Sequence, residues 1–474
     1  MQITNNCQVF TPPLIVEKML DMIGYSGEAI QTKTIFEPSF GDGAFLTAIV
    51  KRITDYATSK DLPPNQLCTL LDNVYAVELD KKYYDITIQK LNAMLPSGVT
   101  YDWPHIVCEN TLTYEPPVKF DLCVANPPYQ KILHIDLSTR ELIENNYQFG
   151  KGNTDLYVIF FEACFKMMKN DAKLCFITPN SFFKNSSQSD FRKYVVDNNL
   201  LRQIIDYGSV KVFKNAATYT AISMFDFNKD KQETQYVLMK SLEEESFKST
   251  VLLNANGEAW NFSNPDDNKW LDANSKKKQK LSDFCDVQHG IATNLDKVYV
   301  VAPKQWNQFE PEILRPVTKG SKLDDSQKII FPYVWNNETN RYDVIEENVL
   351  MEQYPQTYAY LLSHKDELLR RDLEKNATWY QYARGQGIQN TKNRKIVLKH
   401  VLPKDGTVCE IQELSELALV YSGIYIVVKD KDKYDQVKDI LLSKDFHKYL
   451  WLTGKNMSGG YKSTSAKIIK NFGI

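Results

Sequence analysis

Two consecutive prolines directly behind an apolar run constrain this chain more than any other feature. Phe120-Asp121-Leu122-Cys123-Val124-Ala125 is a mostly apolar hexapeptide and predicts a buried strand. Asn126-Pro127-Pro128-Tyr129 follows it without a break. Each proline lacks an N–H and has a fixed φ, so the strand must stop there and pass into a stiff loop. That loop carries an amide side chain, proline carbonyls without competing N–H groups, and an aromatic ring. Together they can hold a flat, amino-bearing ring: acceptors for the amino hydrogens and a face to stack on.

The tetrapeptide resembles the catalytic motif of S-adenosylmethionine-dependent amino methyltransferases. With the matches that follow, the chain resembles gamma-class DNA adenine-N6 methyltransferases of bacterial restriction-modification systems. The resemblance implies S-adenosyl-L-methionine as cofactor, double-stranded DNA as partner, a base flipped out of the helix, and no metal. It implies catalytic roles for Asn126, Pro127, Pro128 and Tyr129, with Asn126 also beside the cofactor. It further implies a cofactor site ahead of the catalytic loop and a target-recognition domain last.

Upstream, Thr11-Pro12-Pro13 precedes a helical apolar spacing through Leu14, Ile15, Met19 and Leu20. In the resembling family a threonine there helps hold the methionine part of the cofactor. Thr34 to Ser39 predicts a strand, and Phe40-Gly41-Asp42-Gly43 its turn into a helix. Leu46 stands where a dinucleotide fingerprint needs a third glycine, so nothing demands a pyrophosphate. An acidic residue before this loop suits a ligand bearing ammonium and sulfonium cations, and Glu37, Pro38, Gly41 and Gly43 are the expected contacts. Val74 to Glu78 is a second strand whose terminal carboxylate can accept from ribose hydroxyls. A third strand ends at Asn110, where the family usually has an aspartate facing the cofactor's adenine; Asn110 or its neighbour Glu109 takes that role here.

Downstream, residues 130–153 are polar and predict a lid or DNA-contacting loop. Strands are expected at 174–179, 203–207 and, antiparallel, 218–225. Between the last two, Phe213 matches the family's aromatic that packs on the flipped base opposite the tyrosine. Strand and helix alternate over residues 34–227, which predicts an α/β fold: a doubly wound, mainly parallel, seven-stranded sheet. Residues 228–280 are polar and predict a linker, placing a catalytic domain at 1–245 and an α+β target-recognition domain at 246–474.

Charge supports that division. The net charge of −2 splits into about −6 over 1–245 and about +4 over 246–474. In the basic half, Tyr382, Arg384, Gln386, Asn390, Lys392 and Arg394 sit around a glycine-flexed loop, and Lys462 in a second one; such side chains read base edges and hold phosphates. Eight scattered cysteines form no CxxC pair, which argues against a disulfide framework or zinc site and fits a cytoplasmic, nucleoid-associated monomer. No basic and apolar leader and no bilayer-length apolar run are expected. Cleavage, where it exists, is expected on a separate cognate restriction endonuclease. Two other readings stay open: a cytosine-N4 methyltransferase, disfavoured by resemblance because Asn rather than Ser precedes Pro-Pro-Tyr, and a non-catalytic DNA-specificity protein.

Overall fold

The computed structural model describes residues 11–213, 219–228, 233–251, 253, 257, 259–260, 262, 265–390, 393–402, 409–457 and 461–474. The chain divides into two compact units, 1–265 and 266–474.

The first unit is built on one sheet of nine strands. They are β1 (Ile35–Glu37), β2 (Val74–Glu78), β3 (Ile106–Cys108), β4 (Phe120–Ala125), β5 (Met168–Pro179), β6 (Leu201–Asp206), β7 (Thr220–Asp226), β8 (Thr234–Met239) and β9 (Glu245–Val251). Their spatial order is β3-β2-β1-β4-β5-β7-β6-β8-β9. Neighbours pair in parallel except β7, antiparallel to both β5 and β6, and β9, antiparallel to β8. The central strands are buried on both faces, as a parallel sheet between helical layers requires. In β2, Val74 and Ala76 enter one apolar layer while Tyr75 and Val77 enter the other. Helices Pro13–Met22 and Ala44–Ser59 cover the first layer, and helix Leu156–Met167 the second.

Two sequence expectations need correction. The sheet has nine strands rather than seven, because β8 and β9 arise within the segment expected to be a linker. Since β9 is hydrogen-bonded along β8, the boundary falls at 265/266, not at 245/246, which would cut at the first residue of a strand. Residues 130–153, expected as a lid or DNA-contacting loop, are largely structured. They contain helix Leu137–Asn146 and two short 3-10 turns, with Ile132, Ile143, Tyr147 and Phe149 buried. The Glu162 carboxylate accepts the Gln148 and Phe149 N–H groups, each at 2.9 Å, and Tyr147 donates to the Leu112 carbonyl at 2.7 Å.

The second unit is α+β. One antiparallel sheet orders Cys285–His289, Ile424–Val428, Lys395–Leu398 and Ile411–Leu414. A second, mixed sheet orders Val300–Val301, Asp324–Ile330, Leu314–Lys319 and Leu419–Tyr421. Among the described residues no helix is long and apolar enough to cross a membrane, and the seven described cysteines are unpaired.

Candidate active site

In a parallel sheet the carboxyl ends of the strands form one edge, and a crevice opens where successive strands depart to opposite sides. Here that point lies between β1 and β4: the chain runs from β1 outward to β2 and β3, then returns to β4 on the other side. The loops leaving β1, β2, β3 and β4 surround a cavity of about 910 Å³, its open mouth included. Thr11, Glu37, Pro38, Gly41, Glu78, Asn110 and all four residues Asn126–Tyr129 line it. Residues from well-separated stretches of the chain thus converge on one space.

The floor is acidic. Glu37 is 1% exposed, and its Oε2 has no hydrogen-bond partner. Burial first, then the neighbouring Glu78 and Asp42 carboxylates, push its carboxyl well above the usual range. A buried acceptor without a donor is costly, so this atom calls for a cationic or N–H-bearing ligand group. Ser39 Oγ, also on the wall, is a second buried polar atom without a partner. Glu78 sits higher up, with Oε2 accepting Gly41 N–H at 2.8 Å and Oε1 accepting Asp80 N–H at 2.9 Å. It therefore ties the β1 and β2 loops together, while each oxygen keeps a second lone pair for a hydroxyl.

The two glycines of the first loop do different jobs. Gly41 has φ +52° and open space where a Cβ would stand, on the cavity wall. Gly43 does not line the cavity. It caps helix Ala44–Ser59 at φ +81°, and a Cβ there would lie 2.6 Å from Thr87 Cγ2. Its smallness serves packing between helices, not approach to a ligand. Of the pair at the end of β3, Asn110 lines the cavity and Glu109 is exposed outside it. Asn110 Oδ1 accepts Leu112 N–H at 3.0 Å, which shapes the turn. Thr111, Leu112 and Phe160 complete the wall and had no sequence signal beyond adjacency to a strand end or a helix start.

On the loop that leaves β4, Asn126 Nδ2 donates to Thr11 Oγ1 at 3.1 Å, which sets the direction of the amide. The Tyr129 hydroxyl donates to the Ile177 carbonyl at 3.1 Å, laying the ring against β5. Phe213 is 1% exposed and belongs to the core. Its ring lies 6.3 Å from that of Tyr129 at 59°, so the two rings are neighbours but not parallel walls.

In the second unit, the residues expected to read DNA are scattered. Tyr382 is a core residue, fully buried, with its hydroxyl on the Ile330 carbonyl at 2.7 Å. Arg384 is held by Asp372, and Arg394 pairs with Glu413 at 3.2 Å while lying over the Tyr434 ring. Asn390 donates to Tyr425 at 3.2 Å, and Lys462 to the Trp451 carbonyl at 2.6 Å. Lys392 lies outside the described residues. Among the described residues of the group, Gln386 alone lines the polar cleft of this unit, beside His289, Asn294, Lys297 and Ser422, residues that no sequence motif marks.

Comparison with known proteins places similar chains among restriction-modification enzymes. The chain is 24% identical over 510 aligned positions to the type II methyltransferase M.BstVI of Geobacillus stearothermophilus, covering 95% of this chain and 86% of that one. It is 26% identical to the type II restriction enzyme and methyltransferase RM.Eco57I of Escherichia coli, covering 57% of this chain but only 31% of that longer protein. In fold it resembles the type IIL restriction-modification enzyme MmeI, solved in complex with DNA, with a TM-score of 0.65 and 13% identity over 97% of this chain and 64% of that one. Residues 72–213, which carry Glu78, Asn110 and the Asn126–Tyr129 loop, match the Eco57I restriction-modification methylase family.

Proposed function

We propose that this chain transfers a methyl group from S-adenosyl-L-methionine to the N6 amino group of adenine in double-stranded DNA. The observation that carries the reading is the single cavity joining the acidic β1–β2 floor to the Asn126–Tyr129 loop. The donor set fits the cofactor: the unpartnered Glu37 Oε2 and Asp42 for cationic groups, Glu78 for ribose hydroxyls, and Leu79 and Leu112 for a flat base. Bound there, the cofactor supplies a methyl group on an already activated sulfonium leaving group.

The chain's own residues handle the acceptor. An aromatic amine is a poor nucleophile because its lone pair is delocalised into the ring. Asn126 Oδ1 and the Pro127 carbonyl each accept one amino hydrogen, which draws the nitrogen toward tetrahedral geometry and aims its lone pair into the cavity. Thr11, by accepting from Asn126 Nδ2, fixes the orientation of that amide. Tyr129 stacks on the base, which must leave the helix to reach the loop. Positioning and fixed dipoles then supply most of the rate. Residues 266–474 are assigned target recognition. The protein acts as the modification half of a restriction-modification pair, with cleavage on a separate endonuclease.

The test is to incubate the chain with labelled S-adenosylmethionine and unmethylated DNA, then digest the DNA to nucleosides for mass spectrometry. N6-methyladenine is expected. N4-methylcytosine would replace adenine by cytosine as the target, and cofactor binding without any DNA product would refute the reading.

A further inference from the structure

The catalytic loop has a second polar flank that the mechanism above leaves unused. β4 and β5 run parallel with Ala125 opposite Phe176, so Tyr129 and Asn180 each stand four residues beyond the same rung. Other contacts close the neighbourhood. Tyr129 is hydrogen-bonded to Ile177, and the Tyr157 ring lies edge-on to it at 6.4 Å, with its hydroxyl 3.1 Å from Ser181 Oγ. Asn180 stands in the chain between Ile177, which Tyr129 contacts, and Ser181, which Tyr157 contacts.

Its side chain is held in one orientation. Asn180 Nδ2 donates to Asp206 Oδ1 at 2.9 Å; Gly208 N–H donates to the same oxygen at 2.9 Å, and the Tyr236 hydroxyl to Oδ2 at 2.9 Å. Asp206 is 3% exposed. Three donors converging on one buried carboxyl mark it as an acceptor, and an acceptor can face only the nitrogen end of the Asn180 amide. The backbone is pinned as well, Asn180 N–H donating to the Tyr219 carbonyl at 2.9 Å. One N–H of the half-buried amide is thus engaged. The other N–H and Oδ1 are left over, and no described residue donates to that oxygen.

We propose that Asn180, oriented by Asp206, is a second base-binding residue whose remaining amide N–H donates to a ring nitrogen of the flipped base beside Tyr129. This rests on the functional reading above. Adenine and cytosine both carry an acceptor ring nitrogen next to the amino group, whereas guanine and thymine carry an N–H at the corresponding place. A fixed donor there accepts the first pair and opposes the second. Asp206 touches no substrate and acts as a positioning residue.

The test uses the full chain, S-adenosylmethionine and unmethylated phage DNA of mixed sequence. Asn180→Leu leaves Asp206 two of its three donors, so folding and cofactor Kd are expected to hold. kcat/KM for DNA is expected to fall roughly ten- to hundredfold, the loss of one hydrogen bond to a charged-network donor. Asp206→Ala removes the acceptor that fixes the Asn180 amide and is expected to produce a similar fall. The double variant is expected to be no more than about twofold worse than the poorer single one, because both remove the same contact. Wild-type kcat/KM in Asn180→Leu, or losses that multiply in the double variant, would overturn the inference while leaving the functional reading standing. A cofactor Kd weakened in parallel with kcat/KM would make Asn180 structural and also overturn it. Wild-type protein that binds cofactor but leaves DNA unmodified would remove both.

Discussion

On the proposed reading, Glu37 should make S-adenosylmethionine binding depend on pH, and the sign follows from its surroundings. The carboxyl is buried beside two other acids, so in the ligand-free protein its proton is held well above the usual carboxylate range. A cationic ligand pairs only with the ionised form and must expel that proton. Affinity for S-adenosylmethionine should therefore rise with pH, by up to about tenfold per unit, and level off above the folded-state pKa. The stability of the ligand-free protein runs the other way. Its raised pKa gives a contribution fully present below the unfolded value of 4.5 and lost as pH climbs through the folded value. Glu37→Gln keeps an oxygen for the Leu46 N–H that Glu37 now accepts, and abolishes both slopes. It also removes one charge-assisted interaction, about 1.5–3 kcal/mol, or roughly ten- to hundredfold in Kd. Titration calorimetry in two buffers of different ionisation enthalpy measures Kd and protons released together. A Glu37→Gln variant with wild-type affinity and the same proton release would show that Glu37 does not face the cofactor.

The other outcomes are narrower. Asn126→Ala keeps the stiff Pro-Pro loop, so DNA and cofactor affinities should change little while single-turnover methyl transfer falls about 10²–10³-fold; near-normal transfer would make the loop structural. Glu78→Ala removes the acceptor for both Gly41 and Asp80 N–H groups, so cofactor Kd should rise roughly ten- to hundredfold with a measurable loss of melting temperature. Asp121, clamped by Lys169, Thr34 and Lys33 against its burial, has its carboxyl held down to about 2. That stabilisation is present above pH 3.8 and lost as pH falls through 2, so denaturant melts of Asp121→Asn and wild type should converge at low pH. Gln386→Ala should relax sequence discrimination by about 1–3 kcal/mol, whereas Arg384→Ala, whose guanidinium is already spent on Asp372, should not; competition binding with random-sequence duplexes separates them.

What could be read from the sequence and what could not follow from where the information lies. The end of β4 at the Asn126–Tyr129 loop was legible because its cause is local: no neighbour is needed to know that a strand cannot run through Pro127-Pro128. Glu37 and Glu78 were legible for a similar reason, each ending an apolar run on the edge where parallel sheets bind ligands. β8 and β9 were not, because β9 is an outer strand with most of its residues at least partly exposed and so lacks the apolar alternation that marks a buried strand. Tyr382 fails as a DNA contact for the opposite reason. Its polar, glycine-rich context looks like a surface loop, yet Ile330, Phe331 and Tyr333, about fifty residues upstream, enclose it, which no local pattern announces. Asn180 and Asp206 fall between these cases. Each is a polar residue at the end of an apolar strand, the same mark that exposed Glu78, but their meaning lies in the pairing of β5 and β6 ends across β7. A chain of this topology therefore shows the β1–β4 side of the crevice in sequence more readily than the β5–β6 side. The first is assembled from consecutive strand–loop–helix units. The second is assembled across the antiparallel β7, whose neighbours in space are not its neighbours in order.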